Sequence, residues 1–338
     1  MKKLLSLILS LVLCLSLCAC GEPQPTDPDV SPNSDSSDTV SGNASDPTFG
    51  NGTPDPGTDL PYRYTLSAGD GCSAAIGTDG TIAVAAPQPE TPYYGTDVQI
   101  VSLDVYSYCI VLLSNGTVRV KNIRGDIRGN LWDMENTWSW SDIVAVAAGY
   151  SHNVGLKSDG TVVFNGHIPD KAAEALATWE NIVAIDAGYG TTVGLKEDGT
   201  VVACGEVPDV SSWTDIVAVS TNSKIVLGLK SDGTVIAATS KSNDPRCEVS
   251  SWTDIVAISA GLNHCVGLKS DGTVVSTQII DADFDLGQCD VEGWTDIVAI
   301  SANYTHTLGL RADGTVVAAG ANYNKGCDIG NWNEIKLP

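Results

Sequence analysis

Seven times the chain sets Asp-Gly or Asn-Gly between two apolar, β-branched runs: Asp79-Gly80, Asn115-Gly116, Asp159-Gly160, Asp198-Gly199, Asp232-Gly233, Asp271-Gly272 and Asp313-Gly314. The spacings are 36, 44, 39, 34, 39 and 42 residues. A period near 40 restricts the fold to propeller blades or a helical solenoid. Local chemistry chooses between them. Asp-Gly between apolar runs marks a hairpin, and the type I′ turn expected there needs φ > 0 at both central residues. Runs such as Ile143-Val144-Ala145-Val146 and Thr161-Val162-Val163 are almost wholly apolar, as strands covered on both faces require. Helical periodicity is confined to Lys171–Leu176. The fold predicted is all-β, a seven-bladed β-propeller over residues 62–338.

Two further columns repeat with the turn. Ten residues before each Asp or Asn stand Gly69, Val105, Gly149, Gly188, Asn222, Gly261 and Asn303, a composition that predicts positive φ at the end of a first strand. Trp-x-[Asp/Asn/Glu]-Ile recurs at Trp140, Trp179, Trp213, Trp252, Trp294 and Trp332. The Trp is expected to wedge between blades, and the acid or amide two residues later to bond local backbone. The last copy follows the seventh turn, whereas nothing like it precedes the first. Segment 327–337 is therefore predicted to complete blade 1 and close the ring.

These units resemble the regulator of chromosome condensation repeat, in the bacterial form W-T-D-I-V-A-[IV]-x-A-G-x-x-H-x-V-G-L-K-x-D-G-T-V-V-A. The resemblance spans about residues 62–338 and implies the propeller fold. It says little about function, because one fold hosts many unrelated activities. Guanine-nucleotide exchange, the role of the eukaryotic namesake, is not carried over.

The N-terminal segment points outside the cytoplasm. Met1-Lys2-Lys3 precedes an uncharged apolar run, Leu4 to Leu17, too short for a membrane span of about 20 residues. Leu17-Cys18-Ala19-Cys20-Gly21 resembles a bacterial lipobox, which implies a signal peptide at 1–19 and lipidation of Cys20. Two acyl chains, at about 0.8 kcal/mol per buried CH₂, hold a protein firmly where one does not. Residues 21–61 carry eight of the fifteen prolines, eight acids and no Lys or Arg, a composition that cannot offset the entropy of ordering. Residues 20–61 are read as a lipidated Cys and disordered linker preceding the propeller. The expected location is the extracytoplasmic face of a bacterial cell membrane, with membrane contact only through the lipid anchor.

Charge excludes one class of partner. With 18 Lys+Arg against 41 Asp+Glu, the net charge is −23, which repels phosphate backbones. No nucleic-acid partner and no nuclear-localisation run is expected. His152, His264 and His306 share one column, in blades 3, 6 and 7. Spread around a ring, they are read as structural, as the family pattern also implies. The seven cysteines beyond Cys20 show no C-x-x-C spacing and are read as small buried thiols. Asp281, Asp283, Asp285 and Glu292 match positions 1, 3, 5 and 12 of a calcium loop. Leu286 replaces the required Gly and no flanking helices are expected, so a solvated acidic loop is the preferred reading. No other metal, no cofactor and no catalytic residue is assigned, since G-x-S-x-G, H-E-x-x-H and phosphate-loop motifs are missing from the sequence.

The long insert of the second repeat concentrates Arg119, Lys121, Arg124 and Arg128 with Trp132 and Trp138, residue types that anchor interfaces. The function expected is a non-enzymatic, monomeric, cell-surface binding module. It engages an extracellular or envelope protein or polymer through a propeller face or this insert. Two alternatives stand beside it. One is an inhibitor of an extracellular enzyme, similar to beta-lactamase inhibitory protein II, a secreted seven-bladed propeller of similar repeats. The other is an envelope enzyme with its site in the central pocket.

Overall fold

A computed structural model of the 338-residue chain describes residues 65–87, 98–123, 137, 139–241, 243–279 and 282–338. The chain divides into two compact units, Met1–Thr53 and Pro54–Pro338. The first, which holds the segment read as a signal peptide and most of the segment read as a linker, lies outside the described residues; in the second, description begins at Thr65.

From there the chain forms seven three-stranded antiparallel sheets, each made of strands consecutive in sequence. Blade 1 comprises Leu66–Ala68, Ser73–Ile76 and Ile82–Ala85, and blade 2 comprises Ile100–Val105, Tyr108–Leu113 and Val118–Asn122. Blades 3 and 4 begin at Ile143 and Ile182, and blades 5, 6 and 7 at Ile216, Ile255 and Ile297. One helix, Asp170–Leu176, lies between blades 3 and 4 and buries Ala172 and Leu176, where the sequence carries its one helical period.

The interior is a cycle of seven interfaces rather than one core. Each apolar cluster draws on two neighbouring blades. Ile225, Leu227 and Leu229 of blade 5 meet Val249, Trp252 and Ile255 at the start of blade 6, while Val226, facing the other way, joins the cluster shared with blade 4. Side chains alternate across a strand, so a strand buried on both faces must be apolar at every position. This accounts for the unbroken hydrophobic runs.

The recurring Trp is the wedge expected. Trp140 packs among Tyr108, Ile110 and Leu112 of blade 2 and Ile143 and Val146 of blade 3. Its ring lies on Gly155 in the second strand of blade 3, where a Cβ would sit 2.9 Å from Cε3 and Cζ3. Gly194, Gly228, Gly267 and Gly309 seat Trp179, Trp213, Trp252 and Trp294 in the same way. Blade 2 has no such Trp, and Val111 fills its seat. The glycine of G-L-K-S-D-G is thus a cavity for an aromatic ring.

Three local expectations are corrected. At each hairpin only the Gly is left-handed, from φ 75° at Gly116 to 82° at Gly314; the preceding Asp or Asn is not. In blade 3 Gly160 N donates to Lys157 O and Lys157 N to Thr161 O. That is a type I turn with a glycine bulge, not type I′. The Asp159 carboxylate accepts from Thr161 N at 2.9 Å and Thr161 Oγ1 at 2.6 Å, which holds its pKa below the usual carboxylate value. Second, Gly69, Gly149, Gly188, Gly261, Asn222 and Asn303 do not have positive φ. Close approach selects the glycines: a Cβ on Gly188 would lie 2.6 Å from Asn222 Cα of blade 5. The column also slips by one in blade 2, whose first turn is a residue shorter. Tyr106, not Val105, is the equivalent, donating N–H to Tyr108 O as Gly149 does to His152 O. Third, the acid after the Trp sits in the left-handed region, with φ 61° at Asp142, 63° at Asp215 and 59° at Glu334, where Asp and Asn are enriched. At Asp142, Asp215, Asp254 and Asp296 the carboxylate accepts from the preceding hydroxyl, as Asp142 does from Ser141 at 2.9 Å, rather than from backbone.

Closure follows the sequence reading. In blade 3, Ile143 pairs with Lys157 and Ala145 with Leu156 across a bulge. In blade 1 the same strand is made from both ends of the propeller. Ile335 bridges Gly77, Lys336 N donates to Ile76 O at 2.8 Å, and Ile76 N donates to Thr65 O at 2.8 Å. Ile335 N also donates to Gly314 O, as Ile143 N does to Gly116 O one blade earlier. Ile335 is 3% exposed and packs with Leu66, Ala75, Leu308 and Leu310. Replacing Ile335 by Ala is expected to lower unfolding free energy by about 2–5 kcal/mol, measured by urea titration.

Candidate functional site

The first strands line a central channel, and its polar residues form a belt. At one level around the ring stand Ser67, Asp104, Ala147, Asp186, Ser220, Ser259 and Ser301, each within two residues of the end of its strand. Each polar side chain accepts a backbone N–H from the following blade. Ser67 Oγ accepts from Val105 N at 3.0 Å, and Asp104 Oδ2 from Ala148 N at 2.7 Å. Asp186 Oδ2 accepts from Thr221 N at 2.8 Å, and Ser220 Oγ from Ala260 N at 3.0 Å. Ser259 and Ser301 take Ala302 N and Ala68 N, both at 2.9 Å. Six of the seven blade junctions carry this tie. The exception is Ala147, and there Ala187 N turns back to Asp186 Oδ1 of its own blade.

Burial sets the character of the two carboxylates. Asp104 also accepts from Ser67 Oγ at 2.7 Å, and Asp186 from Ser220 Oγ at 2.9 Å. Desolvation outweighs these bonds and raises Asp104 to about 6. Desolvation, then repulsion from Asp104, raises Asp186 to about 7. The channel holds a cavity of about 60 Å³ bounded by the belt and by Asn222 and Asn303. Sequence reasoning missed both acids. Their signal was a polar residue interrupting an apolar strand, as in Leu103-Asp104-Val105 and Ile185-Asp186-Ala187.

Beside the channel mouth, the turns between first and second strands carry aromatic residues. Tyr106 of blade 2 meets Tyr150 of blade 3 edge-on, with centroids 5.7 Å apart. Tyr150 stacks obliquely on Tyr189 of blade 4 at 4.7 Å. Tyr106 is buried, whereas Tyr150 and Tyr189 are 49% and 52% exposed. Asp70 of blade 1 and Tyr304 of blade 7 lie close enough to Tyr106 to raise its phenol pKa, after the larger effect of burial. These tyrosines too went unremarked, although Ala-Gly-Tyr, Ala-Gly-Tyr and Ala-Asn-Tyr repeat at 148–150, 187–189 and 302–304.

The histidine column is structural. His152, His264 and His306 are fully buried, and each Nε2 meets a hydroxyl of the next blade: Thr192 at 2.9 Å, Thr307 at 2.7 Å and Ser73 at 2.8 Å. Thr307 Oγ1 donates to Gln288 O and Ser73 Oγ to Gly326 O, so His264 and His306 carry their proton on Nε2. Burial lowers the three pKa values to about 4, 3 and 4.

The other sequence candidates are dispersed. Arg119 and Lys121 lie on the third strand of blade 2. Arg124, Arg128, Trp132 and Trp138, like Cys20 and Asp281, fall outside the described residues. Asp283, Asp285 and Glu292 are exposed, and Asp285 Oδ1 accepts from Gly287 N. Among the described residues, no three His, Cys, Asp or Glu side chains are placed to hold a metal. Cys72, Cys109, Cys204 and Cys265 are buried and Cys247, Cys289 and Cys327 half-buried, and none of these seven forms a disulfide.

The histidines make stability pH-dependent with a definite sign. Their folded pKa values lie below the unfolded value near 6.5, so the unfolded chain binds more protons between about pH 4 and 6.5. Their contribution is complete above that window and is lost as pH falls through it, at about 1.4 kcal/mol per pKa unit. His264→Gln is expected to make the fall in urea midpoint from pH 6.5 to 4 visibly shallower than in the parent.

The sequence model of the regulator of chromosome condensation (RCC1) repeat matches residues 182–206 and 297–326, the first of these running through blade 4 and the second through blade 7. No curated protein matches the chain. Among solved structures, the CRINKLY WD40 ectodomain of the Arabidopsis thaliana receptor kinase ACR4 superposes with a TM-score of 0.58 at 14% identity, covering 77% of this chain and 94% of that one. The ectodomain of the Physcomitrella patens receptor kinase CR4 gives 0.55 at 16%, covering 75% and 72%. At such identities the likeness establishes the fold. The chain is a seven-bladed β-propeller, and its fourth and seventh repeats match the regulator of chromosome condensation repeat.

Proposed function

We propose that this protein is a non-enzymatic binding module, displayed by a lipid anchor on the extracytoplasmic face of a bacterial membrane, whose working surface is the tyrosine-bearing face. The observation that carries the reading is the Tyr106–Tyr150–Tyr189 stack at the channel mouth. Two rings are about half exposed and packed on each other, one of them also against a buried third. Rigid, amphipathic aromatics supply contact area at little entropic cost. The occupant that fits is a protein with a basic surface. The chain has net charge −23, and Asp70 borders the tyrosines; complementary charge speeds encounter and selects partners. Catalysis by the histidine column is disfavoured, because its rings are sealed between blades and committed to hydroxyls.

The anchor rests on the lipobox-like Leu17-Cys18-Ala19-Cys20, with residues 1–19 as leader and 20–61 as tether. The two similar propellers are receptor ectodomains, a setting consistent with an extracytoplasmic one. The insert with Arg124, Arg128, Trp132 and Trp138, the other binding candidate, follows the third strand of blade 2 in sequence. The third strand of blade 2 ends at Asn122, paired with Tyr108, two residues from Tyr106.

Immobilised full-length chain is expected to capture a basic surface protein of the source culture. Tyr150→Ala with Tyr189→Ala should weaken that capture at least thirtyfold, the scale of an interface hot spot of about 2 kcal/mol, with the urea midpoint little changed. Undiminished capture would move the site off this face. For the anchor, radiolabelled palmitate is expected to enter the parent and not Cys20→Ser.

A further inference from the structure

The belt contains more negative charge than its ties need. Asp104 and Asp186 are half-buried in one channel, and among the described residues no Lys or Arg ion-pairs with either; the resolved ion pairs are Lys224–Glu206 and Arg246–Asp244. Each carboxylate accepts three hydrogen bonds, where two oxygens can take about four. One acceptor position on each is left over.

A second observation is independent of the acids. Asn222 lines the same cavity and is 3% exposed. Its Nδ2 donates to Asn303 Oδ1 at 3.3 Å, and Asn303 Nδ2 donates to Ala68 O at 3.0 Å. The second bond fixes Asn303 Oδ1 as an acceptor, so Asn222 must present Nδ2 to it. That leaves Asn222 Oδ1 buried without a partner, a state that costs roughly 1–3 kcal/mol unless a ligand or water satisfies it. Two under-used carboxylates and one bare amide oxygen lining about 60 Å³ make a cavity rich in acceptors, beside the hydroxyls of Ser259 and Ser301.

We infer that the central channel is a binding site for one divalent, oxygen-seeking cation, held by Asp104, Asp186 and Asn222 Oδ1 directly or through water. Two carboxylates match a charge of +2. Calcium is the ion that fits, because it tolerates irregular geometry and mixed carboxylate, amide and water ligands, whereas magnesium demands a near-ideal octahedron. A cation here neutralises the buried charge and leaves the blade-to-blade ties in place. Protons compete for the same oxygens.

The test is calorimetric titration of the full-length chain, stripped with chelator, with calcium chloride at pH 7.5. One ion per chain is expected to bind, and at least tenfold more weakly in Asp186→Asn and Asn222→Ser. Asp285→Asn, in the exposed acidic loop, should bind as the parent does. If the parent binds no calcium, the inference fails. It fails equally if Asp186→Asn and Asn222→Ser bind unchanged, or if Asp285→Asn alone abolishes binding. Should Asp186→Asn not fold, Asn222→Ser decides, since it leaves every tie of the belt intact. Binding is also expected to weaken from pH 7.5 to 5.5 in the parent; a pH-independent affinity would place the ion elsewhere.

Discussion

A ring of sheets holds only if every junction is sealed, including the one that the chain cannot make in passing. Here each junction has an apolar cluster shared by two blades, and six of the seven add a polar tie at the channel. The tie is directional: a side chain of one blade receives the backbone N–H of the next. It does for a propeller what backbone pairing does within a sheet, because the seven sheets share no strand ladder. The histidines repeat the device farther out, linking blade 3 to 4, 6 to 7 and 7 to 1. The fold is thus welded by hydrogen bonds that cross blades, while apolar packing supplies the bulk of the driving force.

That arrangement explains where functional freedom lies. Residues inside a blade face two neighbours and cannot change without disturbing both. The turns between first and second strands are different, since they contribute backbone to the mouth of the channel and send side chains outward. Position 150 and its equivalents can hold Tyr, Asp, Ser or Leu without affecting a strand. A binding surface can be written there without rewriting the scaffold.

Much of the architecture was legible in the sequence, for physical reasons that differ by element. The seven turns announced themselves because a glycine in the left-handed region is almost obligatory there, and the closing segment because Trp332 and Ile335 had no first-repeat counterpart. Turn type was misread, since Asp-Gly serves both a type I′ turn and a type I turn with a bulge, and only the hydroxyl of the following Thr separates them. The column of Gly and Asn was assigned to backbone sign when crowding governed it; composition cannot distinguish a missing Cβ needed for φ from one needed for space. The belt and the tyrosines were harder. A Ser or Asp within an apolar strand reads as noise until seven repeats are laid over one another, and the stacking of Tyr150 on Tyr189 exists only once blades 3 and 4 stand side by side.

The split first strand of blade 1 carries a directional consequence. Thr65 opens the described propeller and Ile335 nearly ends it, and both flank Ile76, at the end of the strand away from the turn at Gly69. The turn at Gly69 belongs to the face that displays the tyrosines. The polypeptide therefore arrives and departs on the opposite side, like a lamp wired from behind. A pull applied at Thr65 enters the propeller on the side away from the tyrosines, through the strand that closes the ring.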